Sequence, residues 1–167
     1  MAIRPASTPP GPDVSVASFS TTHVAELRRS WEQLVAMADE AAQLFYARLF
    51  ELDPSLRLLF HADPVVQRRK LIEALAFIVT CADQPNDVLP MLSALGERHA
   101  GYGVREEHYA RAGEALLWTL DQGLGLLHTR EAREAWVATY QFVATAMCGG
   151  SNARGVTDGT LASLGPG

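Results

Sequence analysis

The stretch that decides the fold prediction reads LGERHAGYGVREEHY, residues 95–109. His99 follows Leu92 and Leu95 at helical spacing, so it lies at the end of an apolar stripe. Two glycines end that helix, and an acidic pair begins the next one, where negative charge suits the helix dipole. Taken alone, a histidine in this position is more often a core or surface residue than a metal ligand.

The composition describes one acidic globular domain. The chain has 167 residues, of which 48% are hydrophobic, and a formal net charge of −5. A chain of this length can bury enough surface to fold without a disulfide or a structural metal, so any metal it holds is expected to serve function. Phosphate binding needs a cationic footprint, and the acidic balance therefore argues against nucleic acid as the main partner.

Cysteine usage and the apolar runs indicate the compartment. Cys81 and Cys148 lie far apart inside apolar runs and form no CxxC motif, which is typical of buried free thiols in a reducing environment. The longest apolar run, residues 75–82, is far shorter than the ~20 residues that cross a bilayer. Residues 1–20 lack the apolar core of a signal peptide. We therefore expect a soluble, cytoplasmic protein without membrane contact.

The central part of the chain has a helical pattern throughout. Residues 1–19 are rich in proline and small polar side chains and are predicted to be a flexible arm; the glycine-rich residues 149–167 are predicted to be a flexible tail. Between them, residues 20–148 show apolar side chains at spacings of three and four and no strand alternation. Helix starts are predicted at Ser20, Asp39, Asp63, Pro85, Glu106 and Thr129, and the last helix is expected to end near Met147. The sequence thus predicts an all-α domain of six to eight helices.

Two polar residues stand within apolar helical faces. Gln67 and Leu71 are four residues apart and share an inward face, where the amide needs a hydrogen-bond partner. Tyr46 lies in a similar stripe, although a core tyrosine with a solvated hydroxyl is the commoner case. Three cations, residues 68–70, oppose the helix dipole; they form either a solvated face or a contact to an anion held close by. His108, near a helix end, is expected to be exposed.

The surroundings of His99 restrict the metal it could bind. No second histidine or cysteine follows at helical spacing, and no HExxH motif occurs. A metal at His99 must therefore bring most of its own ligands. Haem iron does so, because it needs one axial imidazole and an apolar slot.

With these residues in view, the chain resembles bacterial single-domain globins and the haem domain of flavohaemoglobins over about residues 21–148. The segments that carry the resemblance are Leu44–Phe50, Asp53–Phe60, Gln67 with Leu71, Arg98–Val104, His108–Tyr109, and Ala135–Trp136 with Tyr140. The resemblance implies a globin fold packed around a haem pocket.

The resemblance also assigns roles to individual residues. It implies that His99 is the proximal ligand of haem b (iron protoporphyrin IX), and that Tyr46 and Gln67 form the distal pair that would act in any catalysis. The other cofactor contacts that it implies are Phe60, which wedges the haem, Leu71, Leu95, Tyr109 and, as a substitute distal or propionate contact, Lys70. The family's carboxylate behind the proximal histidine falls on Ser151 here, so peroxidase-like activation is not expected.

The function that the resemblance implies is reversible oxygen binding at ferrous haem, with nitric oxide and carbon monoxide as further diatomic ligands. A tyrosine hydroxyl and a glutamine amide can donate hydrogen bonds to bound oxygen. Nitric oxide dioxygenation would need an external reductase, because the sequence holds no flavin or nicotinamide domain. Two alternatives remain open: a haem-less globin-fold interaction or sensor module, and oxygen sensing through a signalling partner.

Overall fold

The computed structural model describes residues 18–157, with side chains through residue 149. Six α-helices follow one another: α1 (Thr21–Val35), α2 (Ala38–Leu52), α3 (Pro64–Thr80), α4 (Leu89–Gly101), α5 (Glu106–Leu124) and α6 (Arg130–Thr157). Three short 3-10 helices lie between them, at Pro54–Leu59, Pro85–Val88 and Gly125–Leu127. No strand occurs in the described range, and the predicted all-α class is confirmed.

Side-chain caps begin several helices where the sequence predicts them. Ser20 Oγ accepts a hydrogen bond from the backbone N–H of His23 at 3.1 Å and begins α1. Asp63 Oδ1 accepts from the N–H of Val65 at 2.8 Å ahead of α3, with Pro64 at the first helical position. Each cap satisfies an N–H group that the first helical turn leaves unpaired.

The prediction that Asp39 caps the start of α2 is wrong. The helix begins at Ala38, and Met37 precedes it without a side-chain cap. Asp39 lies inside the first turn, where its carboxylate accepts from Arg68 Nε at 2.7 Å and from Gln43 Nε2 at 2.7 Å. Arg68 of α3 and Gln43, one turn along α2, thus occupy the carboxylate in place of a capping N–H group.

The two predicted tails lie partly outside the described residues, and α6 extends past its predicted end near Met147. Residues 1–17 of the predicted arm and 158–167 of the predicted tail lie outside the described residues, but Phe19 stacks on His23 with ring centroids 4.1 Å apart. Helix α6 continues through Gly149 and Gly150. Glycine weakens a helix by about 1 kcal/mol relative to alanine but keeps its N–H and C=O groups, so it need not end one.

The core is centred on Trp136 of α6, which is 1% exposed. Its indole Nε1 donates to Ser30 Oγ of α1 at 2.8 Å, and that hydroxyl donates to the carbonyl oxygen of Glu26 at 2.8 Å. Leu27 and Leu120 are fully buried in the same cluster. These contacts hold α1, α5 and α6 together on one side of the domain.

Helix α4 approaches α6 unusually closely. A Cβ atom placed on Gly96 would lie 2.1 Å from the carbonyl oxygen of Met147. Leu92, one turn earlier, is fully buried with Met147 in a second apolar cluster. The missing side chain at Gly96 therefore sets the distance between the two helices and, with it, the position of the end of α4. None of the described helices combines the length and apolar character that a membrane crossing requires.

Candidate functional site

A large apolar cavity lies between the helices, with walls from α2 to α6. It encloses about 1150 Å³ that no protein atom fills, including its open mouth. Aliphatic and aromatic side chains form most of the wall. Polar groups come from three directions: Tyr46 and Gln67 on α2 and α3, His99, His108 and Tyr109 on α4 and α5, and Thr139 and Tyr140 on α6. An apolar slot with a few placed polar groups is typical of a cofactor or ligand site.

His99 lies in the last turn of α4, and one of its two ring nitrogens forms a hydrogen bond within that helix. Its Nδ1 is 2.8 Å from the carbonyl oxygen of Leu95, one turn back. Because a carbonyl only accepts, Nδ1 carries the proton and donates it, which leaves the lone pair on Nε2. Burial lowers the pKa of His99 and outweighs the carbonyl contact, so the imidazole is favoured in its neutral form. A neutral ring with a free Nε2 is what a metal ligand needs.

The surroundings of His99 fit haem rather than a bare metal ion. Within residues 18–157, no group of three His, Cys, Asp or Glu side chains could hold a metal ion. A planar macrocycle that supplies its own equatorial ligands fits both this single imidazole and the apolar walls. The donor set and the cavity therefore agree with the haem that the sequence resemblance implies.

Tyr109 packs beside His99, with ring centroids 6.5 Å apart and an interplanar angle of 29°. Its hydroxyl is buried and has no hydrogen-bond partner among the described residues. Burial first, and Cys148 second, raise the pKa of Tyr109 to about 12. The side chain of Ser151, the position at which the family's acidic residue is expected, lies outside the described side chains.

The opposite polar group is Tyr46, which is half-buried. Its hydroxyl donates to the backbone carbonyl oxygen of Gln67 over a long 3.4 Å. Burial raises the pKa of Tyr46, so the phenol stays protonated and remains a donor. The ring of Phe60 contacts the ring of Tyr46 edge-on, with centroids 5.5 Å apart, and also contacts the ring of Phe50, with centroids 5.4 Å apart. These contacts restrict the orientation of the tyrosine ring.

The structure brings nearly all of the predicted site residues to this one cavity. The residues that line it are Tyr46, Phe60, Gln67, Leu71, Leu95, His99 and Tyr109. Lys70 does not line the cavity and is exposed. It precedes Leu71 by one residue, and successive side chains on a helix point about 100° apart. The role of Lys70 as a cofactor contact stays a prediction.

His108 contradicts the expectation of an exposed histidine. It is 7% exposed and lines the cavity, while its Nδ1 accepts from the backbone N–H of Arg105 at 3.0 Å. The sequence held a signal for this burial, because Ala112 and Leu116 follow at helical spacing and share its face.

Comparison with known proteins places the chain in a family. Residues 43–147 match the Globin family. The chain belongs to the globin family, and this membership supports haem-based binding of a diatomic gas. It is 32% identical over 138 residues to neuroglobin of Chaenocephalus aceratus, covering 74% of this chain and 87% of that protein. It is also 35% identical over 108 residues to the flavohemoprotein of Bordetella parapertussis, covering 63% of this chain but only 27% of that longer protein.

Two solved structures share the fold at low sequence identity. A proposed nitric oxide dioxygenase from Rhodothermus marinus, engineered as a carbene transferase, aligns with a TM-score of 0.76 and 24% identity over 86% of this chain and 100% of that one. A hexacoordinated haem protein from an anhydrobiotic tardigrade aligns with a TM-score of 0.72 and 17% identity over 80% of this chain and 96% of that one. These likenesses establish the fold.

Proposed function

We propose that the chain holds haem b in the large cavity through His99 Nε2 and binds oxygen reversibly there. The observation that carries this proposal is the 2.8 Å contact between His99 Nδ1 and the carbonyl oxygen of Leu95. It fixes the tautomer and leaves a neutral nitrogen facing a site whose walls suit a flat apolar group. Ferrous haem, when bound, supplies the metal centre that takes up a diatomic gas.

The distal residues would discriminate between gases by hydrogen bonding. Oxygen becomes polarised on binding, whereas carbon monoxide is polarised less, so a donor favours oxygen. The Tyr46 hydroxyl is protonated, and its 3.4 Å contact with Gln67 is long enough to exchange for a better acceptor at little cost. The side-chain amide of Gln67, at the same cavity wall, offers a second donor.

Nitric oxide dioxygenation is the reaction that this arrangement supports best. Oxygen, nitric oxide and one electron give nitrate, and ferrous haem would supply that electron when bound. An external reductase returns it, and this partner, like the cytoplasmic location, is part of the proposal. Support comes from the similarity to a flavohemoprotein and from the fold shared with a proposed dioxygenase.

The absorption spectrum of protein expressed with ample haem tests the proposal. We expect a Soret band, with changes on reduction and on exposure to oxygen, and we expect His99→Ala to lose it. His61→Ala is the matched control, because His61 is exposed and outside the cavity wall. A parent protein without haem would refute the proposal and favour the haem-less interaction module instead.

A further inference from the structure

A second cavity adjoins the first on the side of the distal pair. Tyr46, Phe60 and Gln67 line both cavities, so these three side chains form a common wall. The second cavity encloses about 770 Å³, including its opening to solvent. This wall therefore lies between the second cavity, which opens to solvent, and the distal side of the first.

Two arginines give the second cavity its charge. Arg57 and Arg68 line it, and no acidic side chain does. Arg68 contacts Asp39 through Nε at 2.7 Å, and the described residues give its two terminal nitrogens no partner. The Arg57 guanidinium lies over the ring of Phe50, 4.9 Å from its centroid, and pairs with no carboxylate in the described range.

The charge at this opening is thus opposite in sign to that of the whole chain. Two guanidinium groups line the cavity, and only that of Arg68 contacts a carboxylate, that of Asp39, in a protein of net charge −5. Arg68, followed by Gln43, lowers the pKa of Asp39 and keeps that carboxylate ionised. The donors that remain, the terminal nitrogens of Arg68 and the fork of Arg57, suit a small planar oxyanion.

We propose that the second cavity is an exchange port for the distal side, in which Arg57 and Arg68 bind a small oxyanion of the nitrate class. The identity of the anion rests on the proposed nitric oxide dioxygenation, which produces a monoanion next to Tyr46 and Gln67. Neutral gases enter through the same port without needing these charges. The anion that leaves is drawn across the common wall by the two guanidinium groups.

Flash photolysis of the carbon monoxide complex measures passage through this port without turnover. Nitrate replaces gluconate at constant ionic strength, and the rate of bimolecular carbon monoxide recombination is followed. We expect the recombination rate to fall as nitrate is added and to level off once the site is saturated. Arg57→Gln and Arg68→Gln should each raise the half-effect concentration roughly fivefold, the scale of one partly exposed charge-assisted contact.

Two further variants separate a site from a general charge effect. Arg69→Gln removes the same charge one residue away, from a side chain that lies outside the cavity wall and 3.8 Å from Glu73, and should leave the nitrate response unchanged. Asp39→Asn breaks the same ion pair as Arg68→Gln, but it removes the negative charge and keeps the positive one. It should therefore lower the half-effect concentration of nitrate.

The outcomes of this experiment are distinguishable. Normal recombination that is insensitive to nitrate would overturn the port and leave gas binding intact; the same result is expected if a haem carboxylate occupies both arginines. Equal shifts in all the arginine variants would reduce the effect to net charge and likewise overturn it. Failure to bind carbon monoxide at all would instead refute the proposed function.

Discussion

A single methyl group at Gly96 should force α4 away from α6 and displace His99. In Gly96→Ala, the new Cβ would lie 2.1 Å from the carbonyl oxygen of Met147 and 2.7 Å from the carbonyl carbon and Cα of the same residue. The shortest of these distances is about 1.3 Å less than the 3.4 Å at which ordinary contact begins. All three atoms belong to the backbone, so no change of rotamer relieves the overlap.

The magnitude follows from the kind of atom that must move. Overpacking in a core costs typically about 1–3 kcal/mol, and separating two helices that share a buried cluster places this substitution near 3 kcal/mol. Because His99 follows Gly96 by three residues on the same helix, its ring moves with the displaced segment. We therefore expect a lower free energy of unfolding and weaker haem retention.

Urea denaturation of the haem-free protein measures the first effect, and haem transfer to an acceptor globin measures the second. Gly101→Ala is the matched control, since it changes the same residue type in the same helix and its Cβ would meet nothing within 4 Å. That control should be neutral or up to about 1 kcal/mol more stable. If Gly96→Ala matches Gly101→Ala in both measurements, the close crossing of α4 and α6 is wrong.

Three further predictions concern the distal pair, the core and acid stability. Tyr46→Phe and Gln67→Leu should each speed oxygen dissociation about tenfold or more in stopped-flow mixing, as expected for loss of one hydrogen bond to a polarised ligand; unchanged rates in both variants would remove them from the distal role. Ser30→Ala leaves the buried indole N–H of Trp136 without its acceptor and should cost about 1–3 kcal/mol in urea denaturation, whereas a loss below a few tenths would indicate a water in its place. Burial lowers the pKa of His23 below 6.5 in the folded state, so the unfolded chain binds the proton first and stability falls as the pH drops below about 6.5. His23→Gln should make stability between pH 6.5 and 5 less dependent on pH, and an unchanged slope would contradict this.

The sequence predicts the features of this fold that depend on neighbours along the chain. Ser20 and Asp63 cap helices through contacts within three residues, which a reader of the sequence can see. The apolar spacing around Leu95 and His99 likewise predicts their shared face. The resemblance to globins then relates Tyr46 and Gln67 to His99, a relation that periodicity alone does not contain.

Features that depend on distant segments were not predictable. Asp39 reads as a helix cap, but Arg68, far along the chain, takes up its carboxylate. No residue near Gly96 in the sequence indicates that the backbone carbonyl of Met147 lies against it. His108 is a different case, because its position near a helix end predicts exposure, whereas the apolar face that it shares with Ala112 and Leu116 on the same helix predicts burial. For Asp39 and Gly96, the deciding partner is brought close only by tertiary packing.

The contact between His99 and Leu95 has a mechanical consequence. Both groups belong to one turn of α4, so the hydrogen bond that orients the imidazole comes from the helix that carries it. We therefore expect the imidazole ring and helix α4 to move together. A shift of the ligand nitrogen becomes a shift of α4 against α6, and strain at the helix crossing is transmitted to the ligand nitrogen by the same route.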